Sequence, residues 1–535
     1  MTTEEIARAL KLTAQLMELH NENPFKIKSI ANAAYKLNKT DISLEGKSMH
    51  EMEQIEGIGK GIAAKINELQ ITGNLKELAD MVEKTPAGVI DMMHVKGIGP
   101  KKVGQLWREL EIESIGELLY ACNENRLITL KGFGAKTQAE VKKQIEFHEF
   151  NRGKFHYASV EQFAIDLVEI LKKKYNTELV SLTGAMHRKC EVIDKIQILI
   201  ASENDVTIGD IESRINVSVE LIVCSPAVFY TRLFETTASE KHLAQTGYSV
   251  GNVYASEQEI YKALQLQYIE PELREGLNEV AMAKENKIPK LVMISELRGA
   301  LHNHSTYSDG LHTLKEMAEY CKELGYEYLG ICDHSQSAFY AEGLKPERVL
   351  QQHAEIDNLN KQLFPFKIFK GIESDILNDG SLDYPESILK TFDFIVASVH
   401  SNLKMNEEKA TARIIKAVQN PYTTILGHPT GRLLLSRSGY PIDHKKIIDA
   451  CAANGVIIEL NAHPYRLDID WRWIPYCMEK GVMVSINPDA HQKQGYYDMY
   501  YGVCTARKGM LTREMCFNAI GRVELQAYFE RRKNK

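Results

Sequence analysis

The sequence predicts a multidomain α/β protein with a helical N-terminal region, a mixed α/β middle and a C-terminal parallel (β/α) barrel. Three observations predict it. At 535 residues the chain exceeds what one hydrophobic core usually holds, roughly 250–300 residues. Its first 150 residues repeat a glycine turn followed by a helix-patterned run. From Leu301 onward, short apolar strands alternate with amphipathic helices, and histidines or carboxylates sit at the strand ends. A composition of 44% hydrophobic and 26% charged residues argues against disorder. A net charge of -7 and a pI near 6.2 argue against a chain wrapped wholesale on nucleic acid, so any DNA contact is local. Nine cysteines with no CxxC pair fit a reducing cytoplasm. The start, MTTEEIARAL, reads as an acidic amphipathic helix, not a signal peptide. No apolar run reaches the length of about 18 residues that a membrane span needs.

The N-terminal repeats are IEGIGKGIAAKI (55–66), VKGIGPKKVGQL (95–106) and LKGFGAKTQAEV (130–141). Each gives apolar-x-Gly-apolar-Gly and then a helix. The paired glycines, Gly57 and Gly59, Gly97 and Gly99, Gly132 and Gly134, permit a tight turn, and the helix after it offers unpaired N–H groups. Such a hairpin grips a phosphate oxygen through backbone amides without net positive charge. The pattern resembles the helix-hairpin-helix motif, and three copies imply contact with the sugar-phosphate backbone, independent of base sequence. Lys65, six residues after Gly59, sits where the lyase domain of X-family polymerases carries its Schiff-base lysine. A phosphate-facing helix lysine is the competing reading.

The middle is anchored by SLTGAMHRKCEVIDKIQILIA (181–201), VSVELIV (217–223) and YIEPELREG (268–276). Helical hairpins, then a nucleotidyltransferase-like palm, then this thumb segment resemble an X-family DNA polymerase. The segment that follows, HNHSTYSDG (302–310), extends the resemblance to bacterial members that carry a C-terminal PHP phosphoesterase domain. It implies five domains: a helical lyase-like domain with a helix-hairpin-helix (1–80), a fingers-like domain with two more (81–150), a palm (151–225), a thumb-like domain (226–290) and a PHP domain with a distorted (β/α) barrel (291–535). Polymerase chemistry needs two divalent ions held by three carboxylates. Aligned on Gly184, Arg188 and Glu191, the chain puts Ala185 where the family has serine, and Lys195 and Gln197 where it has two aspartates. A slip of one residue recovers Asp194 but places Ile196 at the second position. Glu220 stands for the third carboxylate, and TAS (237–239) replaces the family's TGS. A lysine cannot ligate Mg²⁺ and repels it, so loss of polymerase activity is expected.

In the C-terminal domain, the strand-terminal candidates are His302 and His304, then His334, Glu373, His400, His428, Asp489 and His491. Asp309 comes from the first loop. Two residues apart on a strand share a face, so His302 and His304 project together. Six of the chain's 17 histidines stand at such strand ends, which solvation alone does not explain. The motifs HNHSTYSDG, CDHS, GIESD, ASVHS, GHPTGR and NPDAH are similar to those of the PHP family, whose nine ligands bind up to three ions. The resemblance implies a divalent cluster of two or three ions, Mn²⁺ foremost, with Zn²⁺ or Fe²⁺ also suited to mixed imidazole and carboxylate donors. It implies Glu373 as bridging carboxylate and Asp333 as the group orienting a ligand histidine. Arg432 is expected to clamp a phosphate or to serve as a structural ion-pair partner.

The function expected is a DNA phosphoesterase, acting as 3′-5′ exonuclease, 3′-phosphatase or abasic-site endonuclease on gapped, nicked or 3′-ended DNA. The alternative is an active gap-filling polymerase with a 3′-5′ exonuclease. A non-enzymatic DNA scaffold and a histidinol-phosphate type phosphatase stand further off. The chain is expected to act as a monomer, without membrane contact.

Overall fold

The computed structural model describes every residue except 40–42, 45, 56, 124, 125, 208–216, 534 and 535. The chain divides into two compact units, Met1–Arg152 and Gly153–Lys535.

The first unit is helical. Its opening helix, Thr3–Leu19, starts at a capping box, in which the Thr2 hydroxyl takes the Glu5 amide and the Glu5 carboxylate takes the Thr2 amide. Ile6, Leu10, Ala14 and Met17 form its buried stripe, packed with Ile30, Leu37, Ile62 and Ile66. A second core gathers Val89, Met92, Val103, Leu106, Leu118, Phe133, Val141 and Ile145. The glycine hairpins feed the helices Lys60–Thr72, Pro100–Leu110 and Ala135–Asn151.

The second unit begins with a three-stranded sheet. Lys195–Ala201 lies between Val180–Thr183, antiparallel to it, and Ser218–Cys224, parallel to it. Thr183 pairs with Gln197, and Gln197 with Glu220. Short helices follow, Phe229–Thr237, Glu240–Thr246, Glu257–Ala263 and Glu279–Lys284, around Phe234, Ile260, Tyr261 and Leu273.

A parallel barrel completes the unit. Its strands run in chain order: Gly299–Ala300, Tyr328–Ile331, Lys367–Lys370, Glu373–Asp375, Val396–Ser398, Ile425–Leu426, Ile457–Asn461 and Val484–Asn487. They lie in sheets of three and five strands, all neighbours parallel. The bridge Asn303–Ala490 joins the two ends of the strand series, and His334–Glu373 joins the two sheets. The apolar run FKIFKGIESDI splits into two strands, Lys367–Lys370 and Glu373–Asp375, broken at Gly371 and Ile372. A Cβ on Gly371 would lie 2.5 Å from both the Ile331 carbonyl oxygen and Phe394 Cζ, so only glycine allows this close passage. Most strand residues are buried on both faces, as a helix-covered parallel sheet requires.

Lys508, on the barrel's side, ties it to the residues that precede it. Its ammonium donates to the carbonyls of Arg188 (2.9 Å) and Glu272 (3.2 Å) and to the Glu275 carboxylate (2.6 Å). Arg188 donates to the same carboxylate at 3.2 Å.

Candidate metal centre

Glu373 is the hub. Its Oε1 lies 3.3 Å from His302 Nε2, 3.1 Å from His400 Nε2 and 3.0 Å from His428 Nε2. Its Oε2 lies 3.0 Å from His334 Nδ1 and 3.6 Å from His304 Nε2. Asp489 Oδ1 adds contacts of 3.0 Å to His304 Nε2 and 3.5 Å to His302 Nε2. Asp309 Oδ1 stands 3.4 Å from His491 Nε2 and 3.7 Å from His334 Nε2. All nine residues singled out from the sequence therefore converge. Three sets of donor atoms each fall within 4.8 Å: His304, Asp309, His334 and His491; His302, His304 and Asp489; His334, Glu373 and His400. Asp489 adopts φ 53°, a left-handed conformation costly for a residue with a Cβ. Asp309 and His491 are about one-third exposed while Glu373 is buried, so the cluster opens on the Asp309 side.

The donor set fits divalent cations. Burial alone would raise the Glu373 carboxyl, but the charges of His400, His302 and His334 hold it well below the usual carboxylate range. Burial, with the charges of His491 and His334, pushes His304 down to about 3. Burial opposes a charge on His400 too, yet Glu373 and Asp375 raise it to about 10. His302 Nε2, His304 Nδ1, His334 Nδ1, His428 Nδ1 and Glu373 Oε2 are buried without a well-formed hydrogen bond. Buried polar atoms are rarely left so, and cations held by the converging sets would take up those of His302, His304, His334 and Glu373.

Two carboxylates that sequence reasoning passed over hold the ligands in place. Asp375 Oδ1 sits 2.5 Å from His400 Nδ1. Glu459 Oε2 sits 2.7 Å from His302 Nδ1 and accepts from Asn487 Nδ2 at 3.0 Å, while its Oε1 accepts from the His428 amide at 3.2 Å. Such partners fix tautomer and ring orientation. A signal for Glu459 was present: a carboxylate inside the apolar run GVIIELNA needs a buried partner. Glu459→Ala is expected to cost about 3–5 kcal/mol of stability, because Glu459 is fully buried and its donors would lose their acceptor. Urea denaturation of the metal-free protein checks this, and a loss under about 1 kcal/mol would sink it.

One expectation needs correction, and the contacts of Arg432 favour one of its two readings. Asp333 does not touch a ligand histidine. It accepts from the Ser305 amide (2.8 Å) and hydroxyl (2.7 Å), the Ser308 amide (3.2 Å) and hydroxyl (2.6 Å), and Gln352 Nε2 (2.5 Å). Its role is to fold the loop that carries Asp309. Arg432 makes the contacts of a structural ion-pair partner. Nε donates to the Arg466 carbonyl at 2.9 Å, Nη1 to Asp470 at 2.7 Å, and Nη2 to the Leu467 carbonyl. Each of the three guanidinium nitrogens already donates to a protein acceptor. Arg466, in NAHPYR, reaches the cluster instead, with Nε 3.9 Å from Asp489 Oδ2.

In the N-terminal unit, Gly57, Gly97 and Gly132 take φ of 85°, 97° and 90°, which only glycine adopts cheaply. Gly59 and Gly99 cap their helices without a side-chain bond, and a Cβ on Gly59, Gly99 or Gly134 would meet nothing within 4 Å. The helix ends face open space. Lys60, Lys101 and Lys136 stand exposed in the first turn of each helix. Lys65 is less available. It pairs with Glu77, which also binds Lys26.

In the three-stranded sheet, Lys195 Nζ lies 2.7 Å from Glu220 Oε2, and Gln197 Nε2 donates to the same oxygen at 3.0 Å. Gln197 also covers Gly184, where an added Cβ would meet its Oε1 at 2.0 Å. Ala185 follows in the helix Gly184–His187 and offers no hydroxyl. An ammonium and an amide thus occupy the one remaining carboxylate.

A helix-hairpin-helix domain family matches residues 1–75, a SAM-like helix-hairpin-helix tandem matches 89–146, and the PHP domain family matches 300–463. Asp489 and His491 lie beyond that last span yet complete the cluster. Probable phosphatases of Acetivibrio thermocellus (28% identical, over 37% of this chain and 83% of that one) and of a Thermoanaerobacter species (25% identical, over 44% and 95%) are similar in part. The DNA polymerase/3′-5′ exonuclease PolX of Bacillus subtilis is 32% identical over 99% of this chain and 100% of its own. Similarity along the whole length, with both hairpin regions and the phosphoesterase domain in the same chain, makes this protein a member of the PolX family.

Proposed function

We propose that this protein hydrolyses phosphate esters at DNA 3′ ends, chiefly as a 3′-5′ exonuclease, and that its polymerase-like sheet does not synthesise DNA. The observation that carries the reading is the convergence of five imidazoles on Glu373 in a chain that also bears glycine hairpins. His302, His304, Asp309, His334, Glu373, His400, His428, Asp489 and His491 would hold two or three divalent ions, Mn²⁺ foremost. Bound there, such ions supply a deprotonated water and neutralise phosphate charge. Arg466 makes no side-chain hydrogen bond among the described residues and takes the phosphate-binding part expected of Arg432. Glu459 and Asp375 keep His302 and His400 aimed inward. Activity is expected to vanish on chelation and return with Mn²⁺. Shortening of a 5′-labelled strand that continues unchanged in EDTA would sink the reading.

The same proposal assigns residues 1–80 and 81–150 to backbone binding, 151–225 and 226–290 to a polymerase-like scaffold, and 291–535 to hydrolysis. It has the protein act as a cytoplasmic monomer on gapped or nicked DNA. The absence of any disulfide among nine cysteines supports that compartment, and no described helix is long and apolar enough to cross a membrane. Exposed lysines at the hairpins make binding salt-dependent. Lys101→Ala and Lys136→Ala are each expected to reduce the slope of log affinity against log salt by about 1 on a nicked duplex. Fluorescence anisotropy checks this, and an unchanged slope in the double variant would exclude those hairpins from the interface.

A further inference from the structure

We propose that Phe339 and Tyr340 form a stacking platform for the terminal base of a frayed DNA strand whose phosphate enters the metal centre. The inference rests on the phosphoesterase reading and adds what distinguishes a nucleic-acid end from a small phosphate ester.

The two aromatics stand side by side on the short turn Phe339–Ala341, five and six residues after the ligand His334. Phe339 is 85% exposed and Tyr340 62%. The Tyr340 ring meets the His334 ring edge-on, with centroids 6.0 Å apart and planes at 61°. This is the open side, where Asp309 is about one-third exposed.

The turn that carries the rings is firmly held. Ala338, Ala341 and Leu344 are buried. The Ser337 amide donates to Asp383 Oδ2 at 2.6 Å, and Gln336 Nε2 donates to the Asp383 carbonyl at 2.6 Å. The Leu344 amide closes the loop onto the His334 carbonyl at 2.8 Å. A Cβ on Gly343 would sit 1.9 Å from the Ser335 carbonyl oxygen, so the turn is packed tightly against its own base. Exposed rings on an anchored turn are preorganised for a partner, whereas rings on a loose loop would fold over.

The chemistry of the site selects the occupant. Whatever binds must deliver a phosphate ester to the cluster, and in DNA that phosphate is joined through one sugar to a flat π-system. Aromatic side chains stack on every base, so the platform tolerates any sequence. A base paired within a duplex is already stacked, and a small phosphomonoester has none to offer. The platform therefore favours unpaired ends.

The test uses an oligonucleotide with 2-aminopurine as its 3′-terminal base, bound to the full chain with Ca²⁺ replacing the catalytic ion. Stacking quenches this fluorophore. The wild type is expected to quench it severalfold, Phe339→Ala, Tyr340→Ala to leave it bright, and Tyr340→Phe to keep the quench. With Mn²⁺, the double variant is expected to raise KM for the oligonucleotide about tenfold while hydrolysing an oligonucleotide whose 3′-terminal residue lacks a base as before. Equal quenching by wild type and double variant, or an equal loss on both substrates, overturns the platform. Quenching that depends on the two rings in a protein that cleaves no DNA with Mn²⁺ would retain the platform and remove the phosphoesterase reading.

Discussion

Replacing both His334 and Asp489 with alanine is expected to abolish Mn²⁺-dependent shortening of DNA ends. The two residues serve different parts of the cluster. His334 Nδ1 is 3.0 Å from Glu373 Oε2 and its Nε2 is 3.7 Å from Asp309. Asp489 Oδ1 bridges His302 and His304. The double change therefore removes a donor from every one of the three converging sets. Losing one electrostatic contributor of this kind costs roughly 10²–10³ in rate, and two lost together should leave nothing above background. DNA binding should survive, since it is assigned to hairpins within residues 1–152. Full nuclease activity in the double variant, checked for the absence of contaminating nuclease, would place the active site elsewhere.

The native protein is expected to add no template-matched nucleotide to a primer. In the three-stranded sheet, Lys195 holds Glu220 at 2.7 Å and Gln197 holds the same oxygen at 3.0 Å, so that carboxylate is neutralised and occupied where divalent ions would have to bind. Both activation of the primer hydroxyl and neutralisation of the triphosphate are lost, each the kind of effect that costs roughly 10²–10³ in rate. The nuclease must first be silenced, because it would erase short products. A His334→Ala background serves. In it, the native sheet is compared with Lys195→Asp, Gln197→Asp on a gapped duplex with Mg²⁺ or Mn²⁺. Template-matched addition by the native sheet would overturn the account. Addition by the double revertant alone would support it strongly. Silence from both would point to Ala185 and the Thr237–Ser239 turn as further losses.

Much of the candidate metal centre was legible because the barrel converts chain order into position. His302 and His304, two residues apart just past the strand Gly299–Ala300, bring their rings within 5.3 Å and onto the same carboxylate of Asp489, and a parallel barrel brings successive strand ends to one rim. What stayed hidden depends on long-range packing. Glu459 meets His302 across 157 residues, and strand periodicity does not say which buried carboxylate pairs with which ring. Arg432 left two readings open in sequence, and only the fold shows it holding the carbonyls of residues 466–467 and the carboxylate of Asp470. Asp333 precedes a ligand and read as its orienter, yet it points toward the loop of Ser305 and Ser308. The break at Gly371 was invisible because an apolar run does not report a kink. The hairpins were legible from their glycines, but Glu77 beside Lys65 was not.

The most direct test of the central claim is a 5′-labelled primer on a gapped duplex, followed with Mn²⁺ in the presence and absence of the four deoxynucleoside triphosphates. The account predicts the same progressive shortening in both reactions and none in EDTA. A product longer than the primer, or shortening that persists after chelation, would contradict it.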